Sequence, residues 1–172
     1  MQAEVFVFER SIDRMRELDL VFGGRASTVY SSTLAIEQML PQADLVIGAV
    51  LIHGARAPQV VTRAQLGLMK SRAVLVDVSI DQGGCFETSR PTTHSDPTYQ
   101  VDDVTHYCVT NMPGAVPITA TYALTNATLP YVVDIAERGV QGALAASPAL
   151  QLGVNVAGGE IVHPAVAEAL AV

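Results

Sequence analysis

AVLVDVSIDQGGCFETSRP, residues 73–91, is the stretch that decides how this chain folds. An apolar run, Ala73 to Val76, stops at Asp77 and opens into a loop that holds a second carboxylate, Asp81, followed by Gly83 and Gly84. In open α/β sheets the ligand lies outside the carboxyl ends of the strands. A buried strand that empties into a Gly-rich, carboxylate-bearing loop therefore puts reactive groups where a ligand sits.

Working outward, the same grammar repeats. Asp44 precedes LVIGAVL, a continuous apolar run of the kind found in a parallel strand covered on both faces. After the loop IHGARAP, Thr62 is placed to cap a helix to Met69 that leads into the central strand. Upstream, VFVF (Val5 to Phe8) reads as a strand closed by Glu9 and Arg10, and Ser11 caps a helix through Ile12, Met15 and Leu18. Ala26 to Tyr30 gives a further strand, and Ser31 and Ser32 offer the next cap for a helix ending near Pro41. Downstream, a short strand from His106 to Val109 runs into NMPGAVP. Thr119 to Ala136 reads as helix, with Pro130 marking a kink or break, Gly139 closing the region and a second helix over Val140 to Ser147. NVAGGEIV has two β-prone arms around Gly158-Gly159, a hairpin signal, and His163-Pro164 starts a last helix. Strands alternating with helices through short loops predict an α/β fold with a doubly wound parallel sheet.

At 172 residues and 49% hydrophobic the chain suffices for one domain, or most of one, with a sizeable core. Seventeen acids against ten bases, a net charge of -7, disfavour nucleic acid or an anionic membrane as partner and favour a small molecule. No basic segment with an apolar core and cleavage site stands at the N-terminus, and no apolar run approaches a spanning length, so the expectation is a soluble, cytoplasmic protein. Two cysteines, Cys85 and Cys108, without CxxC spacing read as free, buried thiols. Four scattered histidines (His53, His94, His106, His163) make no zinc pattern and read as surface or strand-end residues. No metal is expected.

Glu9 can be read as the acid that closes the second strand of a dinucleotide-binding unit, where a carboxylate accepts from the ribose hydroxyls and repels a 2'-phosphate, favouring NAD over NADP. In that unit the glycine fingerprint lies about 20 residues earlier. Only eight residues precede Glu9. On this reading the first strand and the phosphate loop are missing, and the sequence is a C-terminal portion of a larger enzyme.

Four segments carry a family likeness: DLVIGAVLIHGARAP (44–58), AVLVDVSIDQGGCFETSRPTTHSDPTY (73–99), HYCVTNMPGAVP (106–117) and TYALTNATLPYV (121–132). With the NVAGGEIVHPAVAEAL tail they resemble the alanine dehydrogenase family, shared with the NAD-binding part of nicotinamide nucleotide transhydrogenase. The resemblance implies a Rossmann-like sheet lacking its first strand and glycine loop over residues 1–117, and a C-terminal helical segment over 118–172 that completes the substrate domain. It implies NAD as cofactor, L-alanine and pyruvate as substrates and a homohexamer. The family's substrate-binding arginine and lysine, catalytic histidine and phosphate loop match nothing here.

By the same resemblance, Glu9 and Arg14 line the adenosine ribose pocket and Ser31 lies near the adenine. Val50 and Leu51 follow the strand beneath the cofactor. Val78, Ser79, Ile80 and Asp81 run beside the nicotinamide, with Asp81 the catalytic carboxylate that holds the water or amine and stabilises positive charge on the imine. Arg90 touches the cofactor, and Val109, Thr110, Asn111 and Met112 close over the nicotinamide ribose. His53 stands where a proline is common, and Ile118 replaces a basic residue. The alternatives are a transhydrogenase NAD-binding subunit, which would continue beyond the core toward a membrane component, and a truncated, non-catalytic remnant. Without phosphate loop and histidine, the isolated chain is expected to show little or no alanine-dependent NAD reduction.

Overall fold

The structure, a computed structural model, describes residues 3–52 and 56–170; His53 lies outside them. Strand β1 (Phe6–Glu9) pairs in parallel with β2 (Ser27–Tyr30), and α1 (Ile12–Phe22) connects them. Ser11 Oγ accepts from the Arg14 amide to start α1, as its position before the apolar periodicity predicts. Helix α2 (Thr33–Met39) is capped by Ser32 and leads to a four-stranded sheet.

That second sheet has the order β3 (Leu45–Gly48), β4 (Val74–Asp77), β6 (Val104–Tyr107), β5 (Thr98–Val101). The first three strands run parallel, and β5 adds antiparallel to β6 through a two-residue turn. Asp102 and Asp103 both sit at positive φ there, which short polar side chains tolerate and a two-residue hairpin requires. Helix α3 (Arg63–Leu66) covers the route from β3 to β4. Its capping box is complete: Thr62 Oγ1 accepts from the Gln65 amide, and Gln65 Oε1 accepts from the Thr62 amide at 2.8 Å. Leu66, Leu75, Cys85, Phe86 and Val104 form the heart of the core, each 2% exposed or less.

The fold is α/β with a parallel sheet and C-terminal helices, as expected, but several local readings are corrected. Leu45 and Ile47 of β3 remain more than half exposed, so this strand is not covered on both faces by the described residues. The antiparallel strand β5 lies outside the sequence reading: TYQV alternates polar and apolar residues, but it is only four residues long and follows a loop with two prolines. Pro130 does not interrupt α4 (Pro117–Ala146); it removes one donor while the surrounding turns keep their bonds. The break falls at Gly139, with φ 68 and ψ 166, as the expected end of the first helical stretch. Helix α5 (Pro148–Leu152), the hairpin β7 (Val156–Ala157) with β8 (Glu160–Ile161), and α6 (Pro164–Leu170) complete the chain.

His106 is the clearest correction. It is fully buried in β6 rather than at a surface or strand end. Its Nδ1 lies 3.1 Å from the Val104 carbonyl and its Nε2 2.7 Å from Thr88 Oγ1. A carbonyl only accepts, so Nδ1 carries the proton and Nε2 accepts from the threonine hydroxyl. The ring stacks on Tyr99 at 4.9 Å between centroids. Burial holds its pKa below the ordinary 6.5, with the Val104 bond and the Asp77 charge opposing more weakly.

Two outcomes follow. At Gly48 an added Cβ would meet Cys85 Sγ at 2.2 Å and the Phe86 ring at 2.6 Å. Gly48→Ala should therefore destabilise the chain by about 1–3 kcal/mol in urea unfolding, as overpacking of a tight core does. For His106, the unfolded state binds the proton more readily than the folded one. Its contribution is then complete above about pH 6.5 and is lost as pH falls through the lower folded-state value. Urea midpoints measured between pH 7.5 and 5 should fall on acidification, and His106→Gln should flatten that slope.

Candidate active site at the strand tips

The site is built where β3 and β4 end side by side. The Val78 amide donates to the Gly48 carbonyl at 2.8 Å, extending the ladder by one step past Asp77. Ser79 Oγ then donates to the Val50 carbonyl at 2.8 Å, so the two loops leaving the sheet are tied to each other. Beyond Ser79 the chain makes a 3-10 turn, Ile80–Gln82, closed by bonds from Gln82 and Gly84 to the Ser79 carbonyl and from Gly83 to the Ile80 carbonyl. Ile80 points into the core at 4% exposed, which turns its neighbour Asp81 outward. The result is a pocket of about 330 Å³ lined by Ala49, Val50, Leu51, Val78, Ser79, Asp81 and Gln82. That lies at the lower end of small-molecule sites.

Gly84 is required at the far side of the turn. Its φ is 77, and a Cβ there would lie 2.9 Å from Asp77 Oδ2 and 2.8 Å from Ser89 Cβ. Both the backbone conformation and the close approach exclude a side chain. Asp77 itself is fully buried and accepts from the Ser79 amide (3.0 Å), the Cys85 amide (2.9 Å) and Ser89 Oγ (2.5 Å). Burial, reinforced by the Asp77 charge, pushes the Cys85 thiol up to about 12, which makes it an inert filler.

The other anticipated residues fall into two groups outside this pocket. Glu9 ends β1, where its Oε1 accepts from the Ser11 (2.9 Å) and Arg10 (2.6 Å) amides. Those bonds, Ser11 first, hold its carboxyl below the usual range, with Arg14 adding a smaller attraction. It is an acceptor throughout neutral pH. The Ser31 amide donates to the Glu9 carbonyl at 2.9 Å, which places Ser31 at the same strand ends. Arg14 is exposed and pairs with Glu17 at 2.7 Å.

Arg90 and the segment 109–112 form the second group. The Arg90 guanidinium stands 4.0 Å over the Tyr99 ring, and its amide donates to the Tyr99 hydroxyl at 2.8 Å. That hydroxyl in turn donates to the Thr88 carbonyl. Val109 is fully buried beside β6, bridged to Thr92, while Asn111 takes a left-handed conformation that starts the turn Met112–Ala115. Thr110 follows the same path, its amide donating to the Thr92 carbonyl at 3.2 Å. Among the described residues no cluster of His, Cys, Asp and Glu has the geometry of a metal site.

Sequence reasoning missed Ala49 and Gln82 as pocket residues, and the supporting set of Asp77, Thr88, Tyr99 and His106. For Asp77 the signal was present: a carboxylate that closes a buried apolar strand has to find donors. Tyr99 carried no such signal, since only the antiparallel pairing of β5 brings it under Arg90.

Residues 1–164 match the family model described as "Alanine dehydrogenase/PNT, C-terminal domain". Alanine dehydrogenase of Mycolicibacterium smegmatis is 54% identical over 99% of this chain and 46% of its own length. The chain thus spans about half the length of the curated relatives it matches. A solved L-alanine dehydrogenase superposes with a TM-score of 0.84 at 48% identity, over 97% of this chain and 46% of that one. The transhydrogenase of Sinorhizobium meliloti shares the fold, with a TM-score of 0.71 at 23% identity over 95% of this chain and 43% of its own. The chain belongs to the alanine dehydrogenase/PNT C-terminal domain family.

Proposed function

We propose that this chain supplies the nicotinamide-facing half of an NAD-dependent alanine dehydrogenase, which interconverts L-alanine and water with pyruvate and ammonium. The observation that carries the reading is the pocket at the tips of β3 and β4 with Asp81 on its wall. Its size and position suit a nicotinamide end laid across the strand ends, and the ionised Glu9 at the tip of β1 suits a ribose diol. When bound, NAD supplies the hydride acceptor for the alanine α-carbon. The chain's own residues orient and stabilise. Val50, Leu51, Val78 and Ser79 wall the ring side, and Ile80 anchors the turn. Asp81 offsets positive charge on the substrate nitrogen and holds the attacking water. Arg90 and the segment Val109 to Met112 contribute to the cofactor's ribose and phosphates, as Arg14 and Ser31 do at the adenosine end.

We assign residues 1–117 to a partial NAD-binding domain and 118–172 to the segment that completes the substrate domain. A strand from outside this chain is inferred to join β1 to β3, since these two carry no pairing with each other. The exposed surface favours further partners. At 18.2 kDa a monomer is expected to expose about 8,100 Å², whereas this chain exposes 11923 Å². Ile118, Tyr122, Leu124, Leu129 and Val132 of α4 are all more than half exposed, which suits a subunit contact in a homohexamer. No described helix is long and apolar enough to cross a membrane, and two free thiols fit a reducing compartment, so we infer the cytoplasm. The transhydrogenase reading is weaker, since the likeness there, at 23% identity, is one of fold.

A chimera tests the proposal. Residues 1–172 replace the matching C-terminal portion of the Mycolicibacterium smegmatis relative, and NAD reduction is followed at 340 nm. Alanine-dependent turnover should appear in the chimera and be negligible in the isolated chain. Asp81→Asn should lower kcat about 100-fold or more, and Glu9→Gln should raise the KM for NAD while narrowing its preference over NADP. A folded chimera without alanine-dependent turnover, or one indifferent to Asp81→Asn, overturns the reading.

A further inference from the structure

We propose that Asp77 is a positioning residue of the cofactor site, a buried anchor that fixes the Asp81 turn and the Arg90 segment relative to one another. The proposal rests on the cofactor reading above for its purpose, and on geometry for its substance.

The side chain is fully buried, and among the described residues no cation pairs with it. A buried carboxylate without an ion pair is costly unless neutral donors surround it. Asp77 has those donors, and they come from two different segments. Oδ1 accepts from the Ser79 amide at 3.0 Å, the residue that opens the turn bearing Asp81. Oδ2 accepts from the Cys85 amide at 2.9 Å and from Ser89 Oγ at 2.5 Å, the residue next to Arg90. The Cys85 thiol adds a longer contact at 3.4 Å.

Strand β4 does not need these bonds. It is held on both sides by parallel ladders to β3 and β6. The loop beyond the strand has its own 3-10 turn and backbone bonds to residues 57–61, from the Ala57 amide to the Gln82 carbonyl, the Val60 amide to the Cys85 carbonyl and the Glu87 amide to the Val61 carbonyl. What the carboxylate adds is the tie between its first residue, Ser79, and its far end at Ser89. Gly84 reinforces the point: it is small enough to let Oδ2 reach past it to Ser89, and its own Cβ would fill that space. An apolar residue at 77 would suit the core better, so the placement of a carboxylate there is explained by what it grips.

The test uses the full chain. Hydrogen exchange of individual amides is compared in native protein, Asp77→Asn and Ser89→Ala, together with NADH affinity of the same substitutions in the chimera described above, by fluorescence titration. Asn keeps the acceptor at Oδ1 and replaces Oδ2 by a donor. Asp77→Asn should speed exchange at Cys85 about 10-fold or more, leave the β3 and β4 ladder amides unchanged, and weaken NADH several-fold. Ser89→Ala, a milder change, should loosen residues 88–90 and weaken NADH while Ser79 stays protected. Unchanged exchange in the loop, or loss spread evenly over β4 and the core, overturns the positioning role. Failure of the unsubstituted chimera to bind NADH would instead count against the cofactor reading, with the exchange results still deciding whether Asp77 holds the two segments.

Discussion

The pocket of this chain depends on how two parallel strands are joined just past their ends. The ladder between β3 and β4 would ordinarily stop at Gly48 and Asp77, leaving two loops free to diverge. Two bonds continue it: the Val78 amide to the Gly48 carbonyl, then Ser79 Oγ to the Val50 carbonyl. Because they tie backbone to backbone and side chain to backbone across the gap, the loops leave the sheet as one wall with a pocket on it. Gly48 lets this happen from below, since Cys85 Sγ and the Phe86 ring occupy the space that any Cβ would need. Pocket and core are therefore consecutive layers of the same packing.

From that junction the charges at the site follow. Asp77 and Asp81 are four residues apart and have opposite fates. The first is enclosed by amides and a hydroxyl; the second is turned outward because Ile80 between them occupies the core. A chain with two buried carboxylates here would face a large desolvation cost, and one with two exposed ones would lose its anchor. Glu9 shows a third arrangement, in which adjacent backbone amides keep a surface carboxyl ionised and so available to hydroxyl donors. The three acids differ through their donors and not through their chemistry.

Much of this was legible in the sequence where local rules govern. Ser11, Ser32 and Thr62 cap helices because a hydroxyl before an apolar periodicity has few other uses, and Gly158-Gly159 turns the hairpin of β7 and β8. The position of the loop after β4 was legible too, since a strand of AVLVD followed by SIDQGG puts polar groups at a strand tip. What was hidden depends on contacts distant in sequence. His106 looks like any strand-end histidine until β5 lays Tyr99 against it and Thr88 meets its Nε2. Tyr99 becomes the platform beneath Arg90 only through the pairing of β5 with β6. Pro130 was weighed as a breaker by a local rule, but one missing donor in a helix of this length is tolerated, and the break falls at Gly139, where φ is 68.

The apolar surface has the same origin as the site. Parallel strands need cover on both faces, yet Leu45 and Ile47 of β3 and Leu20 and Val21 of α1 stand largely exposed. Those positions flank the edges of β1 and β3, the two strands that pair with others but not with each other. An α/β unit whose sheet is divided at that point leaves its inner surfaces apolar, because they are composed to face a strand and the helices that follow it. Helix α4 adds a second such surface, apolar on nearly every side and in contact chiefly with α5 and the turn before it. The excess exposed area is thus concentrated on elements whose sequence is that of an interior. The strand tips, by contrast, make most of their hydrogen bonds among the described residues, the buried Gln82 Oε1 excepted, so the backbone of the pocket is held without the groups that cover the apolar faces around it.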